Sequence, residues 1–343
     1  MSSWNSLVKE ISGLNRPDAL DIVRRQKLAR VAEVTRRHLL VYASDFGTQN
    51  PIKAQLAGSM MSITLMDKDG FDEVTKNIQD VDKGLDVLLH SPGGSAEATE
   101  SIVELLRARF SNIRFIIPSV AKSAATMMAM SGDQILMDER SELGPIDPQL
   151  IIARDNQLIV APAQAIKDQF QKAQDDINAD PAKLPSWVPI LREYGPSLLA
   201  QCDNHLTLAE TLVSTWLQKY MLAADGDAEA KAQRAAQYLN NHNNFHSHSR
   251  RVGMTDLQGL GLNILDMRTA PELHEAVRDL YSVIMITFSQ SGAYKIFEND
   301  QNEAFIQLLQ IHNEPNQQSQ QSPSQQQQRQ PNQPSSREKK RRK

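Results

Sequence analysis

The chain is poor in cysteine, in long apolar runs and in net charge. Only Cys202 stands among 343 residues, so no internal disulfide can form and no Cys-x-x-Cys pair exists for zinc or redox chemistry. Cys202 is read as structural, and a reducing compartment is expected. No window reaches about eighteen unbroken apolar residues, and Met1-Ser2-Ser3-Trp4-Asn5 lacks the basic stretch and apolar run of a secretory signal. A cytoplasmic protein without a transmembrane segment is expected. The formal net charge is −4, so the overall balance does not point to nucleic acid, and any such contact must be local. His205, His242 and His246 invite a metal reading that no carboxylate spacing supports, and Asp67 and Asp69 before Gly70 lack the terminal Glu of a calcium loop. Neither metal nor cofactor is expected.

What is present reads as one large α/β domain with appendages. Residues 1–35 carry helical spacing, with Leu20, Val23, Leu28, Val31 and Val34 among lysines and arginines, and predict an N-terminal helical arm. The main domain is expected over 36–290. Leu39-Leu40-Val41-Tyr42 is strand-like, and Asp67 to Ile78 reads as a turn and an amphipathic helix. Leu85 to His90 is a short apolar run of the kind buried in a parallel sheet, and it stops at Ser91-Pro92-Gly93-Gly94. A helix with Ile102, Leu105, Leu106 and Phe110 on one face follows, then a strand at 113–117, a small apolar helix at 123–131 and a strand at 134–137. Short connections between such units predict a mostly parallel sheet with right-handed crossovers. Residues 291–314 are expected to be a C-terminal helical extension. Residues 315–343 are Gln, Pro, Ser and Asn with a basic end, Arg337 to Lys343, and predict a disordered tail whose end can contact nucleic acid or an anionic surface.

The small helix carries the chemistry. Ser123-Ala124-Ala125-Thr126-Met127-Met128-Ala129-Met130-Ser131 is almost uncharged, so protein should cover it on all sides, and the methionines are read as packing. Ser123 stands at its start, where free N–H groups and the positive end of the helix dipole stabilise an oxyanion beside the hydroxyl. A plain N-cap is the competing reading. The Gly93-Gly94 turn closes the preceding strand and should emerge at the same sheet edge, and glycine lets backbone amides approach a ligand closely.

Three stretches, His90-Ser91-Pro92-Gly93-Gly94, Ala121-Lys122-Ser123-Ala124-Ala125-Thr126 and Ser141-Glu142-Leu143-Gly144-Pro145-Ile146-Asp147-Pro148-Gln149, resemble the serine dehydrogenase proteinase family. These are Clp-fold relatives of signal peptide peptidase A and the Clp proteolytic subunit. The resemblance implies a Clp/crotonase-like spiral of strand-helix units and a serine peptidase acting on peptide bonds through an acyl-enzyme on Ser123. It also implies an oxyanion hole from the Gly93-Gly94 turn, through its first glycine, and from the Ala124 amide, along with peptide or protein substrates and a homo-oligomer. Arg250-Arg251-Val252 to Leu260-Gly261-Leu262 resembles the peptidase's basic turn and closing segment.

The general base departs from the pattern. Where the Clp subunit has histidine, this chain has Ile146. A serine still needs a proton acceptor. His248 lies beside the basic turn, Lys167 falls where the signal peptide peptidases carry a downstream lysine, and Lys219 is flanked by Trp216 and Tyr220. All three stay open, each against an ordinary solvated role. Two other classes share the features: a crotonase-like acyl-CoA enzyme using the same amides without a nucleophile, and a catalytically silent assembly protein of the same fold.

Overall fold

The computed structural model describes residues 1–154 and 157–309. Among the described residues are nine strands: β1 (His38–Ser44), β2 (Leu85–His90), β3 (Ile113–Ile116), β4 (Gln134–Met137), β5 (Gln149–Arg154), β6 (Gln157–Pro162), β7 (Ile264–Asp266), β8 (Ala293–Asn299) and β9 (Ala304–Leu308). Seven form one sheet in the order β7-β4-β3-β2-β1-β8-β9, and β5 and β6 form a separate hairpin. β1, β2, β3, β4 and β7 run parallel, as helical crossovers require.

Alternation along the strands divides the core between two faces. Leu40, Val87, Phe115, Ile135 and Ile264 lie side by side across the sheet. They point toward the helices Asp67–Thr75, Ala96–Arg107 and Ala124–Met130, with Phe71, Ile102, Leu106 and Met128 in the same buried cluster. The neighbouring row, Val41, Leu88, Ile116, Leu136 and Leu265, points the other way. There it meets Leu28 and Val31 of the helix Ala19–Thr35 and Val277, Leu280 and Ile284 of Pro271–Gln290. The sheet is covered on both faces, which is why its strands read as continuous apolar runs. Each fully buried Leu, Ile or Phe contributes about 1.5–3 kcal/mol.

Trp4–Gly13 and Ala19–Thr35 are the helices of the N-terminal segment, and Leu7, Ile11 and Val23 pack with Val283 and Ile286. The expectation of helix over 291–314 is corrected in its described part: β8 and β9 are strands, β8 pairing antiparallel with β1 and β9 antiparallel with β8. Helical reading fails there because Lys295 and Glu298 look like surface charges in the sequence. Both are buried, Lys295 against Asp67 and Glu298 against Arg24. Residues 310–314 and the expected tail over 315–343 lie outside the described residues. Beside the sheet, the β5–β6 hairpin packs with the helices Ala163–Ala179 and Leu198–Lys219 around Leu150, Ala163, Ile166 and Cys202.

Candidate active site

Beyond the end of β2 the chain makes the Ser91-Pro92-Gly93-Gly94 bend. Gly93 has φ +97 and Gly94 φ +154, backbone that side chains rarely adopt. Ile63 braces the bend, donating its N–H to the Gly93 carbonyl at 2.7 Å and accepting from Ser95 N–H at 3.0 Å. A side chain at position 94 would strike the Ile63 backbone at 2.2 Å. The Gly93 N–H donates to Ser91 Oγ at 3.2 Å inside the protein. Gly94 is exposed, and its N–H makes no hydrogen bond among the described residues.

Across from this bend stands Ser123, with φ 52 and ψ −123. That is the backbone of the first central residue of a type II′ turn, a position glycine normally occupies. A non-glycine residue held there stores about 1–3 kcal/mol of strain. Ser123 precedes the helix Ala124–Met130 but makes no side-chain cap bond, so the N-cap reading of its hydroxyl does not apply. Ser123 is half-buried, while every residue of the helix is buried. The Ala124 N–H also has no hydrogen-bond partner among the described residues. A Cβ at Gly93 would lie 2.7 Å from Ser123 Cβ and 3.0 Å from Ala124 N, so the bare glycine leaves open the space in front of that amide.

The segment leading into Ser123 is stitched on both sides. Ser91 pairs with Ala121 on one side, Val120 with Glu142 on the other, and Leu143 in turn with Val252. Lys122 locks this ladder, donating from Nζ to Glu142 Oε2 at 3.0 Å, Leu143 O at 2.9 Å and Arg250 O at 3.4 Å. Gly144 N–H donates to the buried Thr126 Oγ1 at 3.0 Å. The residues leading into the serine thus lie between Ser91, where the bend begins, and Glu142, with Val252 beyond Leu143.

Asp147 is 1% exposed and holds two imidazoles. His248 Nδ1 lies 2.7 Å from its Oδ1 and His242 Nδ1 2.8 Å from its Oδ2. A buried carboxylate that orients a partly exposed histidine is the arrangement a general base requires. In the sequence Asp147 marked only the place next to a missing histidine; its bond to His248 spans 101 positions, so no local pattern reveals it. The role of Ile63 was equally invisible.

The other candidates have other surroundings. Lys167 is ion-paired to Asp203 at 2.6 Å with both side chains substantially exposed. No hydrogen bond or ion pair ties it to the Ser123 segment among the described residues, although it shares a polar cavity with Asn241 and Asn243, the neighbours of His242. Lys219 is exposed beside Tyr220, whose ring Arg107 covers at 3.7 Å. Arg107 also donates to Ser131 O, so Lys219 stands by the end of the helix opposite Ser123. Burial pushes the Cys202 thiol upward, away from the thiolate form, in line with a structural role. His90, just before the bend, is lowered to about 4 by burial, partly offset by a hydrogen bond to the Val120 backbone. Asp138, Glu139 and His274 cluster closely enough to ligate a cation. Asp138 already pairs with Arg278 at 2.5 Å and with His274 at 2.9 Å, and the guanidinium opposes a metal there.

Fold and site together define a mostly parallel α/β protein with a strained serine at a strand-to-helix turn, facing a diglycine bend. Residues 55–183 match the model of the ClpP-like SDH-type serine proteinases. That stretch contains the Ile63 brace, the bend, Ser123, Asp147 and Lys167. Among curated proteins, the uncharacterized proteins MJ0137 and MJ1495 of Methanocaldococcus jannaschii are 44% and 38% identical over 69 residues, 20% of this chain and 24% of each relative. The matched stretch spans about a quarter of the length of these relatives. Two mutant forms of a membrane-bound stomatin-specific protease, one in complex with a substrate peptide, are 15% and 16% identical in structural comparison. Their TM-scores are 0.35 and 0.34, over 62% and 60% of this chain and 79% and 70% of theirs. Among the described residues no helix is long and apolar enough to cross a membrane.

Proposed function

We propose that this chain is a serine peptidase with Ser123 as nucleophile, His248 as general base and Asp147 as the group that orients the base. With Nδ1–H donating to Asp147, the Nε2 of His248 is left as the acceptor. It takes the Ser123 hydroxyl proton as Oγ bonds to the scissile carbonyl carbon. Negative charge then builds on the carbonyl oxygen between the N–H groups of Gly94 and Ala124. Gly93 supplies the clearance, since its own N–H is engaged by Ser91. Collapse of the tetrahedral species breaks the C–N bond, the amine leaves with the proton from His248, and water hydrolyses the acyl-enzyme by the same route.

The observation that carries this reading is the backbone of Ser123. A hydroxyl with no hydrogen bond among the described residues, on a strained turn against two amides that are free among those residues, has no structural purpose to offset the strain. Wild-type protein is expected to be labelled by a fluorophosphonate at Ser123 and to cleave an unfolded protein, and Ser123→Ala to do neither. Labelling that survives Ser123→Ala, or folded wild-type protein that neither labels nor cleaves, contradicts it.

Lys167 is the second candidate base, supported by the cavity it shares with the flanks of His242. An acyl-CoA enzyme of the crotonase type would use the same amides but gives no reason for strain at Ser123; acyl-CoA binding without peptidase activity would favour it. A silent assembly protein predicts normal biological function in a Ser123→Ala strain. A homo-oligomer fits the exposed apolar side chains of the β5–β6 hairpin, Ile151, Leu158 and Val160, and the buried, solitary Cys202 fits a cytoplasmic setting.

A further inference from the structure

Asp67 and Lys295 form an ion pair in the interior, 0% and 1% exposed, with Lys295 Nζ 2.7 and 2.8 Å from the two carboxylate oxygens. Such a pair is a weak device for stability, because removing both charges from water offsets most of their attraction. Where its remaining hydrogen bonds go is therefore informative. Lys295 Nζ donates to Ser62 O at 2.9 Å, and Asp67 Oδ2 accepts from Thr64 N–H at 3.0 Å and from Tyr42 Oη at 2.9 Å. Two of these partners flank Ile63, whose N–H and carbonyl grip the chain on either side of Gly94.

We propose that Asp67 and Lys295 are positioning residues for the oxyanion site: they hold Ser62–Thr64 in place, and through Ile63 they fix the direction of the Gly94 amide. The proposal rests on the serine peptidase reading for its catalytic consequence. The linkage runs through main-chain bonds, since the clash that a side chain at 94 would make is with Ile63 backbone atoms at 2.2 and 2.4 Å. Nothing in it touches substrate. A group that aims a donor acts on the barrier and not on binding, and a misplacement of about 1 Å can cost about a hundredfold in rate.

Two variants test it. Asp67→Asn strands a buried lysine and can unfold the protein, whereas Asp67→Asn/Lys295→Met removes both charges and leaves the interior neutral. In the double variant, hydrogen exchange of the Ile63 and Ser95 amides is expected to quicken at least about tenfold while that of β2 and β3 is unchanged. The kcat for a peptide is expected to fall about tenfold or more with KM within about twofold, and fluorophosphonate labelling of Ser123 to slow in parallel. A folded double variant with unchanged exchange at Ile63 and Ser95, or with wild-type kcat, overturns the proposal. If wild-type protein proves unreactive while the exchange changes as expected, the peptidase reading fails and the brace stands.

Discussion

Gly93 lies so close to Ser123 that a methyl group at position 93 would stand 2.7 Å from the Ser123 Cβ and 2.5 Å from the Lys122 carbonyl oxygen. Contacts this short with backbone force the bend and the serine apart, and φ of +97 adds strain for any other residue. Gly93→Ala is expected to reduce kcat/KM at least about a hundredfold, the scale of losing an oxyanion donor. Steady-state kinetics on the folded variant check it; near wild-type activity would mean the two segments need not meet.

Strain at Ser123 makes a prediction of the opposite sign for stability. Ser123→Gly occupies the same backbone without a side-chain penalty and is expected to gain about 1–3 kcal/mol while losing all peptidase activity. Denaturant titration of the two proteins measures the gain.

The Asp147 cluster separates the candidate bases. His248→Gln is expected to lower kcat by about a hundredfold to ten-thousandfold, and Asp147→Asn to follow it because the imidazole loses its orienting partner. His242→Gln should cost less, since the Asp147 oxygen facing His248 is left in place. Lys167→Met is expected to stay within a few-fold of wild type. The reverse pattern, with Lys167→Met inactive and His248→Gln active, would transfer the base to the lysine.

Acid sensitivity should arise in part from His90. Burial lowers it to about 4 in the folded chain, against about 6.5 when unfolded. Between those values the unfolded state binds more protons, so the contribution is fully present above about pH 6.5 and is lost as pH falls toward 4, reaching about 3 kcal/mol. His90→Phe retains a ring against Phe46 and Tyr281 and is expected to flatten the stability profile over that range. An unchanged profile would contradict the assignment.

The parallel strands, their crossover helices and the pairing of a serine with a diglycine bend were legible in the sequence because each is local: a buried run, a turn and an uncharged apolar helix within a few dozen residues. Long-range partners were not. Lys295 reaches Asp67 across 228 positions, and that bond makes an apparently exposed lysine an interior residue of β8. His248 reaches Asp147 across 101, so the histidine was a candidate without a reason for its orientation. Glycine at 94 could be read as a turn, but not as a turn held by Ile63.

A crystal structure of the protein treated with a fluorophosphonate would show whether Ser123, the two amides and His248 meet at one reacting centre. Phosphorus is expected to be bonded to Ser123 Oγ, with the phosphoryl oxygen within about 3 Å of the Gly94 and Ala124 nitrogens and the His248 imidazole as the nearest base. An adduct on another residue, or a phosphoryl oxygen turned away from both amides, would contradict it.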